Sequence, residues 1–474
     1  MIIRTAMRPI YAFAFSLLIL TGIASCNKQQ YYEGSNASLK FSADTVSFDT
    51  IFTSIGSATQ RLMVYNPYDK ILKISGIQLA GGNNSPFKLN IDGRVANSLS
   101  DVEVYPKDSL YIFIQIFVNP TGNALPLFIR DSIIFTTNGS VQNIKLVAYG
   151  QDVHLLKKQT LKTQTWEADK PYLLYDTIMV DTLETLTIAK GATIYLHKQS
   201  SLQIKGTLIA NGDLTTPITF QGDRLEHDYN DIPGQWSGIY FLPGSTANHL
   251  DWVIIKNGTT GIQLGKYKST FTCDLEISNS IIQNMSYYSL LAIGAKLKAV
   301  NCVFADAAAY ACGLMGGNYE FYHSTLANYY GRYASRNFSS GTLNISNYYM
   351  DTTAIVNTDL MKANFYNSII YGSNTDEILI GNKGSGILQY LFDHCLVKSE
   401  AYNNSKYVQF FTNTRWNKDP EFKFKPKMYL ELDTLSAAKD FGDSLIGRLY
   451  PLDLKKIDRT LDKGPDLGAY ERVE

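Results

Sequence analysis

Tyr288 and Tyr310 are 22 residues apart, and Arg332 follows Tyr310 at the same interval. Any fold that repeats with that period stacks two rings and a cation in one line. Tyr287, Tyr329, Tyr330 and Tyr333 lie close by in sequence. Such a row suits sugar rings, whose C–H faces pack on aromatic faces while their hydroxyls bond to a polar rim. The other reading is an aromatic stack that only stiffens the repeat. A second concentration of chemistry is "GDRLEHDYNDIPGQW", Gly222 to Trp236, which gathers Arg224, Glu226, His227, Asp228 and Asp231 before Trp236. Loops on a rigid scaffold are where function collects; the alternative is a solvated loop. The familiar signatures of other chemistry are not found. HExxH, the P-loop, the G-x-S-x-G elbow and Cys-metal spacings are all missing.

The element that must position these residues is a repeat. Ser280, Cys302, Ser324, Ser346 and Ser368 recur every 22 residues, each just before a pair such as Ile281-Ile282, Val303-Phe304 or Ile369-Ile370. "DHCLV" with Cys395 arrives after an insertion of five, and "DWVIIKN" precedes the series by 27. A repeat of this length buries its apolar face only by stacking on its neighbours. Short apolar strands joined by Gly, Asn and Ser turns predict a right-handed parallel β-helix, with the small residues in one inward column. Larger side chains would overpack that column. Asn284, Asp306 and Asn328 share a register and should hydrogen-bond along the axis at a turn, a ladder that stops at Met350. Lys298 and Glu320, also register neighbours, are expected to form a surface ion pair.

These features resemble the pectate-lyase superfamily and its asparagine ladder. "LTIAKGATIYLHKQSSLQIKGTLIANGDLTTPITFQGD" resembles the opening coils of secreted bacterial β-helices, and "DPEF…LSAAKDFGD…GPDLGAYE", Asp419 to Glu471, their closing segment. The resemblance implies the fold from about Leu183 onward but not a reaction, since such proteins include lyases, hydrolases and epimerases. Polygalacturonase-like hydrolases carry N-T-D, D-D, G-H-G and R-I-K, and only "NTD", Asn357 to Asp359, is present. "LFDHCLV", Leu391 to Val397, resembles a pectate-lyase segment that would put Asp393 on calcium; His394 and Cys395 are already explained by the repeat, and no R-x-P-x-x-R follows. Calcium is therefore expected only if the protein is a lyase, and otherwise no cofactor or metal.

Upstream, residues 41–152 alternate apolar and polar residues in short runs, as in "QRLMVYN", "SLYIFIQIFVNP" and "NIKLVAYGQ", which predicts a β-sandwich. "VYNP", "SPFKL", "YPKDS", "IFVNP", "FTTN" and "VAYGQ" resemble immunoglobulin-like domains of the ASPM/SPD-2/hydin type, which implies a spacer or interaction module. Residues 1–25 have a basic start, Arg4 and Arg8, and an apolar run ending in "IASC". This resembles a bacterial lipobox, implying cleavage and lipidation at Cys26, with residues 26–40 as a flexible tether. Residues 153–182 are expected to be a linker and cap, and 183–474 the β-helix. Lys plus Arg equals Asp plus Glu at 43 each, against a nucleic-acid partner. Asp followed by Thr or Ser recurs, at Asp44, Asp49, Asp108, Asp131, Asp176, Asp181, Asp351, Asp433 and Asp443. The pattern resembles an O-glycosylation motif of exported Bacteroidetes proteins, and it also fits ordinary strand starts. The sequence thus reads as an all-β extracytoplasmic protein, lipid-anchored to the bacterial outer membrane on its periplasmic or its surface side, whose partners are the membrane, through Cys26, and a polysaccharide or other surface polymer bound without catalysis. The alternatives are a polysaccharide lyase or glycoside hydrolase with an atypical site, and a purely structural envelope protein.

Overall fold

The computed structural model describes residues 30–120, 122, 126–269, 272–330, 340–351, 354–383, 385–424 and 429–473. Cys26, Arg332 and Tyr333 lie outside the described residues. The chain divides into two units, Met1–Asp152 and Val153–Glu474.

The first unit is a β-sandwich of two five-stranded sheets. In the strand Ser109–Ile116, alternate residues Leu110, Ile112, Ile114 and Ile116 are buried and Tyr111, Phe113 and Gln115 face out, the period-two pattern of a sheet with one wet face. The sandwich begins earlier than the expected tether allows. Ala37 and Leu39 are buried in its core, and Asn138 Nδ2 donates to Tyr32 O at 2.7 Å. Apolar burial and backbone pairing fix residues that composition alone reads as tether.

The second unit is a right-handed parallel β-helix with three ladders, here called A, B and C. Ladder A includes Val253–Lys256, Ile281–Met285, Val303–Ala307, Thr325–Asn328 and Ile369–Gly372. Ladder B includes Gly258–Gly265, Tyr288–Ile293, Tyr310–Met315 and Leu343–Ser346. Ladder C includes His249–Asp251, Asp274–Ser278, Lys296–Val300, Gly317–Tyr322 and Leu360–Tyr366. Coiling begins before residue 183: His154–Leu161 and Tyr172–Val180 already pair in parallel, and Leu174, Ile178 and Val180 are buried inside. Inside ladder C, Phe321, Phe365, Phe392 and Phe411 stack ring on ring at 4.6–4.7 Å. Burying each contributes roughly 1.5–3 kcal/mol.

The small-residue column is real and has a chemical reason. Ser280, Cys302, Ser324, Ser368 and Cys395 are each fully buried at the C-to-A bend. Each side chain donates to the carbonyl two residues back, Ser280 Oγ to Ser278 O at 2.6 Å, Ser324 Oγ to Tyr322 O at 3.1 Å and Ser368 Oγ to Tyr366 O at 2.8 Å among them. The thiols do the same at 3.2 and 3.5 Å. The residue before each member has positive φ: Asn279, Asn301, His323, Asn367 and His394, between 44° and 52°. Asn tolerates that conformation better than most residues.

Ser346 is not in the column. Thr325 and Leu326 pair directly with Ile369 and Ile370, so the 44 residues from Ser324 to Ser368 make one coil carrying excursions. One excursion is the antiparallel hairpin Tyr348–Asp351 with Ala354–Asn357. Ser346 ends a ladder B strand opposite Met315. Met350, on the hairpin, likewise has no part in the ladder of Asn284, Asp306 and Asn328, whose next neighbour is Gly372. Within that ladder Asn284 Nδ2 donates to Asn257 Oδ1 at 2.7 Å.

After the last coil the chain runs back over the outside of ladder A. Ala438, Leu454, Leu467 and Ala469 pack on Val303, Ala305, Ala327 and Ile369. Gly468 sits at φ +90°, and a Cβ there would meet Thr325 Oγ1 at 2.6 Å, so this close approach needs glycine. The segment is fastened by a fully buried pair, Arg459 Nη1 to Glu471 Oε2 at 3.0 Å. Arg459 Nη2 also donates to Asn301 Oδ1 at 3.1 Å and to Gly468 O at 3.2 Å.

Candidate functional site

The residues singled out from sequence do not form one surface. Tyr288 and Tyr310 stack with centroids 6.0 Å apart, as their register requires, but Tyr288 is only 5% exposed. Burial raises the Tyr288 hydroxyl pKa, and Gly313 on the next coil leaves room for its ring. Tyr330 is buried as well, at 8%. Among the described residues there is no flat exposed row there, because Tyr288 and Tyr310 pack with Leu291, Ile293 and Met315 into a small apolar cluster. Trp236 is 1% exposed, with Nε1 donating to Lys256 O at 3.0 Å, so it belongs to the core. His227 and Asp228 are exposed on one short 3-10 turn, His227–Tyr229, apart from that core position. Beside them the Arg224 guanidinium pairs with Glu226 at 2.9 Å and lies 3.8 Å over the Tyr229 ring.

Asp393 is spent on structure. Its Oδ1 accepts from Thr412 Oγ1 at 2.9 Å and Asn413 Nδ2 at 3.1 Å. Among the described residues no group of three or more His, Cys, Asp and Glu could hold a metal ion. Cys273, Cys302, Cys312 and Cys395 are all free and buried, and burial raises every thiol, Cys302 to about 12. A protonated buried thiol is a poor nucleophile. Five of the recurrent Asp-Thr and Asp-Ser pairs have a local role. Asp108, Asp131, Asp176, Asp181 and Asp433 each accept the next residue's N–H at 2.6–2.8 Å.

The outer face of ladder C is where polar and aromatic groups do converge. Its strands point Leu275, Leu297, Tyr319 and Phe321 inward, so the alternate residues Asp274, Glu276, Lys296, Lys298, Asn318, Glu320 and Tyr322 face out. Register places His249, Glu276, Lys298 and Glu320 in one row along the axis. The expected Lys298–Glu320 pair is not formed. Glu320 binds Lys362 at 3.3 Å and accepts from Tyr322 Oη at 3.1 Å, while the Lys298 ammonium lies 5.9 Å from the Tyr450 ring.

Tyr450 comes from the returning C-terminal segment and makes this face a groove. Tyr322 stacks on Tyr366 at 5.1 Å, nearly parallel, and meets Tyr450 at 5.0 Å and 47°. Burial, followed by the Glu320 carboxylate, raises the Tyr322 hydroxyl pKa. A hollow of about 420 Å³ lies between the sheet and the segment, lined by His249, Trp252, Glu276, Lys298, Tyr450 and Lys456 among others. A second, of about 480 Å³, adjoins it through His249, Glu276 and Lys298 and reaches Lys296 and Glu320. The far wall is held by Asn301 Nδ2 donating to Leu452 O at 2.8 Å and by Lys456 pairing with Asp213 at 3.2 Å. The 44-residue interval between Tyr322 and Tyr366, twice the repeat, was the available sequence signal for this stack. Nothing local in the sequence places Tyr450 against them.

Residues 180–329 match the family model of the right handed beta helix region. Among solved structures, pectate lyase Pel9A matches with a TM-score of 0.30 and 12% identity, over 65% of this chain and 89% of that one. A PapD-like (ASH) domain of human CEP192 matches with a TM-score of 0.18 and 8% identity, over 27% of this chain and 94% of that domain. A family 123 glycoside hydrolase from Clostridium perfringens, studied for glycolipid glycan hydrolysis, has a TM-score of 0.18 and 9% identity over 24% of this chain. This chain spans only 27% of that hydrolase. No curated protein sequence matches. Likenesses at this level carry nothing about activity.

Proposed function

We propose that the ladder C groove binds a polysaccharide or similar surface polymer without cleaving it, and that the protein is held outside the cytoplasm by a lipid on Cys26. The observation that carries the binding reading is the Tyr322, Tyr366 and Tyr450 cluster beside a hollow rimmed by His249, Glu276 and Lys298. Aromatic faces take pyranose rings, and the charged rim supplies donors and acceptors to hydroxyls. A groove that runs along the coil axis suits a polymer better than a small solute.

The row Glu276, Lys298 and Glu320 favours a second reading, eliminative cleavage, because carboxylates flank a lysine on one face. One experiment separates the two. The full chain is tested against a polysaccharide panel for retention and for new reducing or unsaturated ends. Binding without cleavage is expected, weakened about tenfold by Tyr366→Ala, the loss of one stacking ring. Release of unsaturated ends that stops in Lys298→Ala supports elimination. Retention of no polysaccharide, or retention indifferent to both substitutions, refutes the groove as the site.

A further inference from the structure

A second aromatic face lies on the N-terminal sandwich, far in sequence from the groove. The sheet built around Ser109–Ile116 presents Tyr111 and Phe113 outward from its central strand, 45% and 40% exposed. Their ring planes differ by only 17°, with centroids 6.2 Å apart. Tyr65, 37% exposed, stands on the neighbouring strand Gln60–Tyr65. Burying such rings against the core would be favourable; here the alternation of the strand turns them to water.

The outward strand positions around them carry cations and no acid, and the nearest carboxylate is that of Asp92, whose N–H donates to Tyr111 O at 3.0 Å. Register sets Arg61 opposite Phe113, Lys88 opposite Gln115 and Lys40 opposite Tyr65. All three cations are exposed, and none has an ion-pair partner among the described residues. No strand position on this face carries an acid; Asp92 stands at the hairpin turn that ends it. The other sheet behaves conventionally, with Lys73 paired to Asp101 at 2.8 Å. Arg61 and Lys88 flank the central strand on both sides, two strand spacings across and two residues along, ~12 Å apart.

We propose that this face is a second binding surface, which takes an acidic glycan with its sugar faces on Tyr111 and Phe113 and its anionic groups on Arg61 and Lys88. Charge complementarity selects an anion, and the near-parallel rings select a ligand with flat apolar faces. Single-stranded nucleic acid has both properties, but it draws its affinity from many neutralised phosphates, and the chain carries no net charge.

The test is affinity electrophoresis of the full chain in gels containing alginate, neutral dextran or oligo(dT). Alginate should retard the protein in a salt-sensitive way, and Tyr111→Ala/Phe113→Ala or Arg61→Gln/Lys88→Gln should weaken retention about tenfold. All four residues are at the surface, so both variants should keep the parent unfolding midpoint. Tyr366→Ala reports on the ladder C groove, so alginate retention lost in that variant alone belongs to the groove and not to this face. The proposal is overturned if alginate does not retard the parent, if both double variants behave like it, if only Tyr366→Ala abolishes retention, or if oligo(dT) binds as tightly.

Discussion

Arg459 is the residue whose loss should reveal how the returning segment holds the groove together. In Arg459→Met the Glu471 carboxyl, fully buried at 3.0 Å from the guanidinium, loses its cation. Removing one partner of a buried pair costs about 3–5 kcal/mol, much of it from the charge left behind. Glu471 is already pushed up to about 8 by burial and by Asp466 nearby, so it can take a proton and soften the loss. The expected cost is therefore at the lower end, about 3 kcal/mol. If it falls on local opening, the opened population rises about a hundredfold. Three amides report it: Leu467 N–H bonded to Ala438 O at 2.9 Å, Gly468 N–H to Asn367 O at 2.8 Å and Ala469 N–H to Thr325 Oγ1 at 3.0 Å. Native-state hydrogen exchange should show their protection falling while coil amides such as Phe321 keep theirs. Adding Glu471→Leu should restore part of the protection, because no buried carboxyl is then left without its cation, while the Arg459 bonds to Asn301 and Gly468 stay lost. Unchanged protection in Arg459→Met, or a double variant as labile as the single, refutes the latch.

Two further outcomes follow from the same packing. Burial raises Asp466 to about 6 and Glu471 to about 8, so the folded state holds these protons more tightly than the unfolded chain. The stability they contribute is complete below about pH 4, falls as pH rises and is lost above about pH 8, so protection of residues 467–469, corrected for intrinsic exchange, should decline between pH 5 and 8. A protection that climbs over that window contradicts the assignment. Separately, Ser368→Ala removes both a donor to Tyr366 O and the acceptor of the buried Ser324 N–H at 3.1 Å, costing about 2–3 kcal/mol, whereas Ser346→Ala removes one bond to Tyr348 O, about 1 kcal/mol. Urea unfolding that ranks them equally removes the distinction between column and ladder.

The pair Ser346 and Ser368 also shows how far sequence reading reached. Spacing alone found the coil, because apolar pairs after a small residue must recur wherever strands stack. It could not count coils, since a coil of 44 residues with excursions looks like two of 22. Likewise Tyr288 had the right register and the wrong environment, because register fixes which neighbour a ring meets and not what covers it. The groove was illegible for a different reason: Tyr450 reaches Tyr322 across 128 residues through a segment with no repeat to locate it.

Yet the sequence held a discriminator for the column. Every true member follows a residue with positive φ, and those residues are Asn279, Asn301, His323, Asn367 and His394. Ser346 follows Ile345, a β-branched residue that left-handed backbone all but excludes. A period states where a turn could fall; the residue before the turn states whether the backbone can make it. In this solenoid the second criterion separates coil from coincidence, and it rests on the sterics of one Cβ.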